Sequence, residues 1–470
     1  MLFNSFDFLF FFLIVYALYA IFSHRAQNLL LLAASYYFYA YWDVRFLSLI
    51  IFSTIVDYSC SLQIDAGRKK KLFLWISLLV NLGLLCTFKY FNFFVDSALM
   101  MLGKASLAPN ERLLQVVLPV GISFYTFQTM SYTIDVYRGQ LKPTRNFLNF
   151  ALFVAYFPQL VAGPIERAKR LLPQIEKERT LTYQQFREGA WLILLGFFMK
   201  TVMADNLAYF VNEVFDGNEG NPPHGLQVIL GMFAFAVQIY GDFGGYTNIA
   251  RGISKWFGIE LMVNFRMPYF SANPPEFWRR WHISLSSWLR DYLYIPLGGN
   301  RYGSFNTFRN LVLTMLLGGL WHGAALNFVA WGAYHGVLLV VHRLMQPLLE
   351  MIQPSHRIGQ LVWRWVRVAC FFVLTLFGWT LFRTHDLSRL PEVISNIWSP
   401  WAWNAKVLIL TIAIFCTPVI LLDLIQEWKN DLMVIKRFWA PVRLAIYLFM
   451  FACIVMSSSR ENHAFIYFQF

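Results

Sequence analysis

Long apolar runs, interrupted by short polar or basic loops, set the pattern of this chain. Residues 2–22 form the first run, with Asp7 as its one charge. A helix rises 1.5 Å per residue, so about 20 such residues cross the roughly 30 Å of a bilayer's hydrocarbon core. The run has no basic n-region and no small-residue cleavage site, which predicts a retained helix and not a cleaved leader. Comparable runs follow at 29–42, 46–64, 72–95, 117–136, 147–162, 190–211, 226–246, 311–325, 328–341, 363–381, 407–425 and 442–456. Those shorter than about 17 residues read as re-entrant, tilted or protein-buried pieces.

The loops orient these runs, because short cytoplasmic loops collect Lys and Arg. Arg25 follows the first run and Arg68, Lys69, Lys70 and Lys71 follow the third. Both loops are cytoplasmic if the N-terminus is periplasmic. The acidic loop with Glu213, Asp216 and Glu219 then lies on the opposite side, and 457–470 lies outside. The run 147–162 conflicts with a simple crossing, since basic loops flank both of its ends. It holds Phe157-Pro158 and is followed by Gly163-Pro164, so it reads as re-entrant or interfacial. The pattern predicts an all-α polytopic membrane protein with about 11 transmembrane helices plus re-entrant or interfacial helices. Residues 1–470 read as a single integral membrane domain.

Composition agrees and removes other classes. Of the 470 residues 58% are hydrophobic and 14% are charged, against roughly 25% charged in soluble domains. With 47 Phe, 23 Tyr and 17 Trp, no soluble fold hides the apolar surface. A disordered chain, a disulfide scaffold and an ordinary cytosolic enzyme are excluded. The net charge of +13 follows from cytoplasmic loops near anionic lipid, and no nucleic-acid motif accompanies it. Cys60, Cys86, Cys370, Cys416 and Cys453 form no CxxC pair and read as small hydrophobes in a bundle.

Polar chemistry within apolar surroundings marks three candidate regions. In the first, Tyr240-Gly241-Asp242-Phe243-Gly244-Gly245-Tyr246-Thr247-Asn248, the glycines fit either broken backbone lining a cavity or a helix end with Asp242 capping the next helix. In the second, Trp278, Trp281, His282 and Leu285 fall at i, i+3, i+4 and i+7, which predicts one helical face. Glu276 and Arg280 form an i,i+4 pair on another face. Arg279, Arg280, Arg290 and Arg301 suit either the phosphates of an anionic cofactor or lipid headgroups. In the third, Trp321-His322-Gly323 is followed by Tyr334-His335-Gly336. His322 suits a neutral general base or a structural histidine, and His335 reads as structural. His335 and His342 are about 10.5 Å apart along one helix, too far for one metal ion, and no HxxxH or HExxH is present. No metal site is predicted. A haem carrier and a transporter or flippase of an acylated lipid or glycan remain as readings from other classes.

These same stretches resemble the membrane-bound O-acyltransferases (MBOAT), closest to the bacterial branch with the alginate O-acetylation membrane subunit and the D-alanyl transfer protein of teichoic acid. The likeness rests on Pro119–Gln128, Phe157–Ile165, Phe277-Trp278-Arg279-Arg280-Trp281-His282-Ile283-Ser284-Leu285-Ser286, Arg290–Asn300 and Gly318-Gly319-Leu320-Trp321-His322-Gly323. The ending Phe465–Phe470 is also similar to the alginate-type proteins. Asp242 and Tyr246 match a family stretch, from which Gly244 and Asn248 depart. The resemblance implies an MBOAT fold of tilted helices around a central thin region, with a catalytic core at 118–345. It places the family's catalytic histidine on His322 and its upstream partner on His282. Trp281, Trp321, Asp242 and Tyr246 are then candidate substrate contacts, and Arg279 and Arg280 candidate contacts to the acyl donor. The activity implied is transfer of an acetyl group from acetyl-CoA, or another acyl thioester, across the bacterial inner membrane for O-acetylation of a polysaccharide of alginate, cellulose or peptidoglycan type. D-alanyl transfer from a carrier protein is the alternative within the family. No tightly bound cofactor is implied. The partners implied are the lipid bilayer and a periplasmic SGNH/GDSL-like acetyltransferase, with no nucleic acid.

Overall fold

A computed structural model describes residues 1–95, 118–216, 225–384, 386–400, 406–457 and 465. Residue 117, Glu219 and all of the carboxy-terminal motif except Phe465 lie outside the described residues, as do most of the positions 457–470 expected on the outer side. All regular structure among the described residues is helical. The principal helices are α1 Phe6–Ile21, α2 His24–Ala40, α3 Val44–Asp65, α4 Lys70–Val95, α5 Ile122–Tyr137, α6 Phe147–Ala155, α7 Ala168–Glu176, α8 Tyr183–Phe215 and α9 Leu226–Trp256. They continue with α10 Pro274–Arg280, α11 Ile283–Leu289, α12 Gly303–His322, α13 Leu326–Met351, α14 Arg357–Arg383, α15 Lys406–Lys429 and α16 Ala440–Ser457. Eight helices among the described residues are long and apolar enough to cross a membrane. The other expected spans are shorter, as α1 is at 16 residues, or are interrupted by polar side chains, as α12 is by Asn306, Arg309 and Asn310. The chain is a multi-pass, all-helical membrane protein.

Apolar side chains cover the outside. Leu79 is 65% exposed, and Leu410 and Phe451 are each 60% exposed, as suits surfaces solvated by lipid and not by water.

The described residues form two compact units, Met1–Ile193 with Ile249–Met262, and Leu194–Asn248 with Val263–Phe470. In the first unit a polar network ties α3, α4 and α5. Ser77 Oγ donates to Asp57 Oδ1 at 2.6 Å, and Asn81 Nδ2 donates to both Asp57 oxygens at 2.9 Å. The hydroxyls of Ser53 and Thr129 donate to Asn81 Oδ1 at 3.0 and 3.2 Å. Burying a carboxyl group is tolerable only with partners such as these. The run 147–162 folds as α6 and a single turn at Phe157–Leu160. Nine residues rise only about 14 Å, and the segment is buried in protein from Phe150 onward, so it is too short to cross.

In the second unit the stretch 240–248 corrects both sequence expectations. It is continuous helix within α9, neither broken backbone nor a helix end, and Asp242 caps nothing. The glycines are there for close packing. A Cβ on Gly245 would lie 2.7 Å from the Gly196 carbonyl oxygen, and one on Gly241 would lie 2.9 Å from that of Met199.

Candidate active site

Close helix contact places His322. A Cβ on Gly319 would collide with the carbonyl oxygen of Phe328 and lie 3.0 Å from Gly332 Cα. One on Gly336 would lie 3.0 Å from Val312 Cα. Small residues on both helices thus let the α12–α13 hairpin pack backbone to backbone. His322 is the last residue of α12, and Gly323 continues in extended conformation. The imidazole is 4% exposed. Its ring centroid lies 5.0 Å from Trp331, 5.1 Å from Trp321, 5.5 Å from Phe382 and 6.5 Å from His282.

His282 reaches this site through a bend, which corrects the expected single helical face. Helix α10 stops at Arg280, Trp281 is extended, and His282 adopts a left-handed conformation with φ 42° and ψ 54° before α11 begins. Such a φ is uncommon outside glycine, and it persists because the flanks are pinned. Arg266 N donates to Arg280 O and Ile283 N donates to Asn264 O, both at 2.9 Å. Trp278 and Leu285 therefore lie on two separate helices, on either side of the bend. Trp281, His282 and Leu285 are nonetheless all buried.

Asn264 also sets the chemistry of His282. Its Oδ1 accepts from the Ser284 amide at 3.1 Å and the Ser284 hydroxyl at 2.9 Å. The backbone donor identifies that atom as oxygen. His282 Nδ1, at 3.3 Å from the same oxygen, is therefore the protonated nitrogen, and Nε2 carries the lone pair. Burial pushes the His282 pKa down to about 3, so the ring is neutral at physiological pH. Phe243 packs edge-on against it at 4.7 Å, and Trp321 lies at 5.9 Å.

The remaining expected residues divide. Trp281, 1% exposed, belongs to the same aromatic cluster, packing on Phe265 at 4.9 Å and Trp379 at 4.8 Å. Asp242 is ion-paired with Lys200 at 2.6 Å, and Lys200 also contacts Asp205 at 2.9 Å. Tyr246 packs against Phe465 at 5.1 Å. Arg280 makes the expected pair with Glu276 at 2.7 Å, and Glu427 Oε2 lies closer still at 2.5 Å. Arg364 completes this balanced cluster, 2.8 Å from Glu427. Arg280 is thus already neutralised by two carboxylates, whereas Arg279 is exposed.

Sequence reasoning missed Lys200, Asn264, Trp331 as a neighbour of His322, and Phe382. Lys200 left a signal, a lone cation within an apolar run, and it sits in a π-helical turn, Phe198–Ala204, a feature frequent at functional sites. Asn264 left none, being 18 positions from the histidine it orients. Among the described residues no group of three His, Cys, Asp or Glu is placed to hold a metal ion.

The family model for MBOAT, the membrane-bound O-acyltransferase family, matches residues 31–384. The chain is 44% identical over 409 residues to a probable alginate O-acetylase AlgI of Pseudomonas putida, covering 86% of this chain and 81% of that protein. It is 35% identical over 432 residues to a peptidoglycan O-acetyltransferase of Helicobacter pylori, covering 84% and 80%. It is 30% identical over 242 residues to a teichoic acid D-alanyltransferase of Bacillus subtilis, covering 48% and 59%. The chain belongs to the membrane-bound O-acyltransferase family, and is an acyltransferase.

Proposed function

We propose that this protein takes an acetyl group from acetyl-CoA on the cytoplasmic side of the bacterial inner membrane and delivers it to a hydroxyl acceptor on the outer side, with the N-terminus periplasmic. The observation that carries the reading is the pair of buried histidines with ring centroids 6.5 Å apart. Burial in an aromatic cluster keeps water out and strengthens each polar interaction within. The acetyl assignment draws on the relatives named for O-acetylation, which match over four-fifths of the chain. The one named for D-alanyl transfer matches over 48%.

In this mechanism His322 takes the proton of the acceptor hydroxyl as the oxygen attacks the thioester carbonyl carbon. The tetrahedral intermediate collapses, the carbon–sulfur bond breaks, and the CoA thiolate recovers the proton from His322. General-base catalysis of this kind is worth about 10²–10⁴-fold. His282, with its lone pair on Nε2, serves as an acceptor that orients the hydroxyl or the protonated His322. Arg279 meets the donor's phosphates, while Arg280 holds the fold around them. Trp321 and Trp281 wall the chamber, and Asp242 and Tyr246 line the acceptor's approach. We place these steps within residues 118–345. A periplasmic acetyltransferase of SGNH/GDSL type then passes the acetyl group to a polysaccharide of alginate, cellulose or peptidoglycan type.

The test is radiolabelled acetyl transfer by the purified full chain in nanodiscs. Wild type should release free CoA, and His322→Ala should lose at least about 100-fold in rate. Equal rates in the two proteins would end the catalytic assignment. A transporter or flippase would move its cargo without releasing CoA.

A further inference from the structure

Three ring nitrogens in an aromatic cluster that meets His322 through Trp331 are buried and have no hydrogen-bond partner among the described residues: Nε1 of Trp331, Nε1 of Trp278 and Nδ1 of His335. Their rings form one cluster. Trp278 and Trp331 lie 5.7 Å apart, Trp278 and His335 5.1 Å, and Trp331 and His335 4.7 Å. Trp331 is also 5.0 Å from His322, nearly perpendicular to it at 86°. An indole N–H is a donor with no acceptor capacity, and buried donors are ordinarily satisfied. Phenylalanine would fill the same space without stranding a polar group. The two indole N–H groups therefore point to a ligand that brings an acceptor.

Acyl transfer needs a donor here, and His282 does not supply it. Its proton is engaged with Asn264, so Nε2 accepts. We infer that the indole N–H of Trp331 holds the carbonyl oxygen of the acyl thioester and the oxyanion that forms from it. This deepens the acyl-transfer reading and rests on it. As the acceptor oxygen bonds to the carbonyl carbon, its proton goes to His322 and the carbonyl π pair goes to the oxygen held by Trp331. The pair returns as the carbon–sulfur bond breaks, and the leaving thiolate takes the proton. His335 is a positioning residue behind the indole. It stacks on Phe277 at 6.0 Å and 6°, and Gly378 makes room for it, since a Cβ there would lie 3.1 Å from His335 Nε2.

The experiment measures CoA release from acetyl-CoA by the full chain in nanodiscs, with water as surrogate acceptor. Trp331→Phe keeps the ring and removes the donor. It should lower kcat about 100-fold, the scale of one oxyanion donor, with KM changed by less than about threefold. Trp331→His returns a ring N–H and should recover about tenfold of that loss. If Trp331→Phe does not fold, benzothienylalanine at 331, which replaces N–H by sulfur on the same ring system, makes the same comparison and should show the same loss. Unchanged kcat in Trp331→Phe or in the sulfur analogue overturns the inference. So does a Trp331→His no faster than Trp331→Phe, which would assign Trp331 to packing or to an ordered water. If wild type releases no CoA, or His322→Ala matches it, the acyl-transfer reading itself fails, and the two failures are distinct.

Discussion

Asn264 Oδ1 lies 3.3 Å from His282 Nδ1 and is anchored by the backbone amide of Ser284. One amide oxygen thus decides which nitrogen of a buried histidine carries the proton. Removing it should free the tautomer. Asn264→Leu is expected to lower kcat about 10–100-fold, the range seen when the hydrogen-bond partner that orients a metal-ligating histidine is removed. Asn264→Asp, which still accepts from Nδ1, should retain more activity than Asn264→Leu. Steady-state CoA release on the three proteins checks this.

The neutrality of His282 has a consequence for acid stability. Its pKa is about 3 in the folded chain and roughly 6.5 when unfolded. Between those values the unfolded state binds the extra proton, so stability rises with pH. The contribution is fully present above about 6.5 and is lost as pH falls toward 3. His282→Gln, which does not titrate, should show a flatter decline in melting temperature between pH 6.5 and 4 than wild type. Parallel curves would mean that His282 is not buried as described.

Lys200 neutralises a carboxylate inside the second unit. Its side chain is 11% exposed and that of Asp242 4%. Truncating one partner of a buried ion pair typically costs about 3–5 kcal/mol, because the other charge is stranded. Lys200→Met should therefore lose most folded protein in a detergent melting assay. Adding Asp242→Asn should restore part of the loss.

Arg279 is exposed and Arg280 is paired with two carboxylates, so substituting each tests the proposed division between donor recognition and anchoring. Arg279→Gln should raise KM for acetyl-CoA about tenfold, a single charge–phosphate contact being worth about 1.4 kcal/mol at that factor. Arg280→Gln should leave KM within about twofold and lower the melting temperature, as its two carboxylate partners lose their cation.

Much of the fold was legible because apolar length is a strong signal, and burial in lipid demands helices. His282 and His322 stood out in sequence as imidazoles beside tryptophans within apolar surroundings, and the fold brings their ring centroids to 6.5 Å; their catalytic roles belong to the proposal. The bend at His282 was not legible. The i, i+3, i+4, i+7 spacing of Trp278, Trp281, His282 and Leu285 is that of a helix face. It was overridden by tertiary hydrogen bonds from Asn264 and Arg266, which no local pattern announces. The glycines of 240–248 misled for a related reason. Glycine marks both broken backbone and close helix contact, and only the neighbours Gly196 and Met199 decide between them. Lys200 was visible as a lone cation, but its partners Asp205 and Asp242 were not tied to it by sequence.

The glycine-lined contact of α12 with α13 makes His322 and Trp331 parts of one stiff piece. At Gly319 and Gly332 the two backbones meet directly, which leaves little slack there to absorb a shift of one residue without the other. Entry to the site must then come from motion of other walls, Phe382 on α14 or the bend at His282. Related enzymes that accept bulkier groups would be expected to change those walls and to leave the hairpin alone. Gly332→Ala offers a direct measure: it should abolish turnover even for the smallest donor, because it spreads the hairpin and not the entrance.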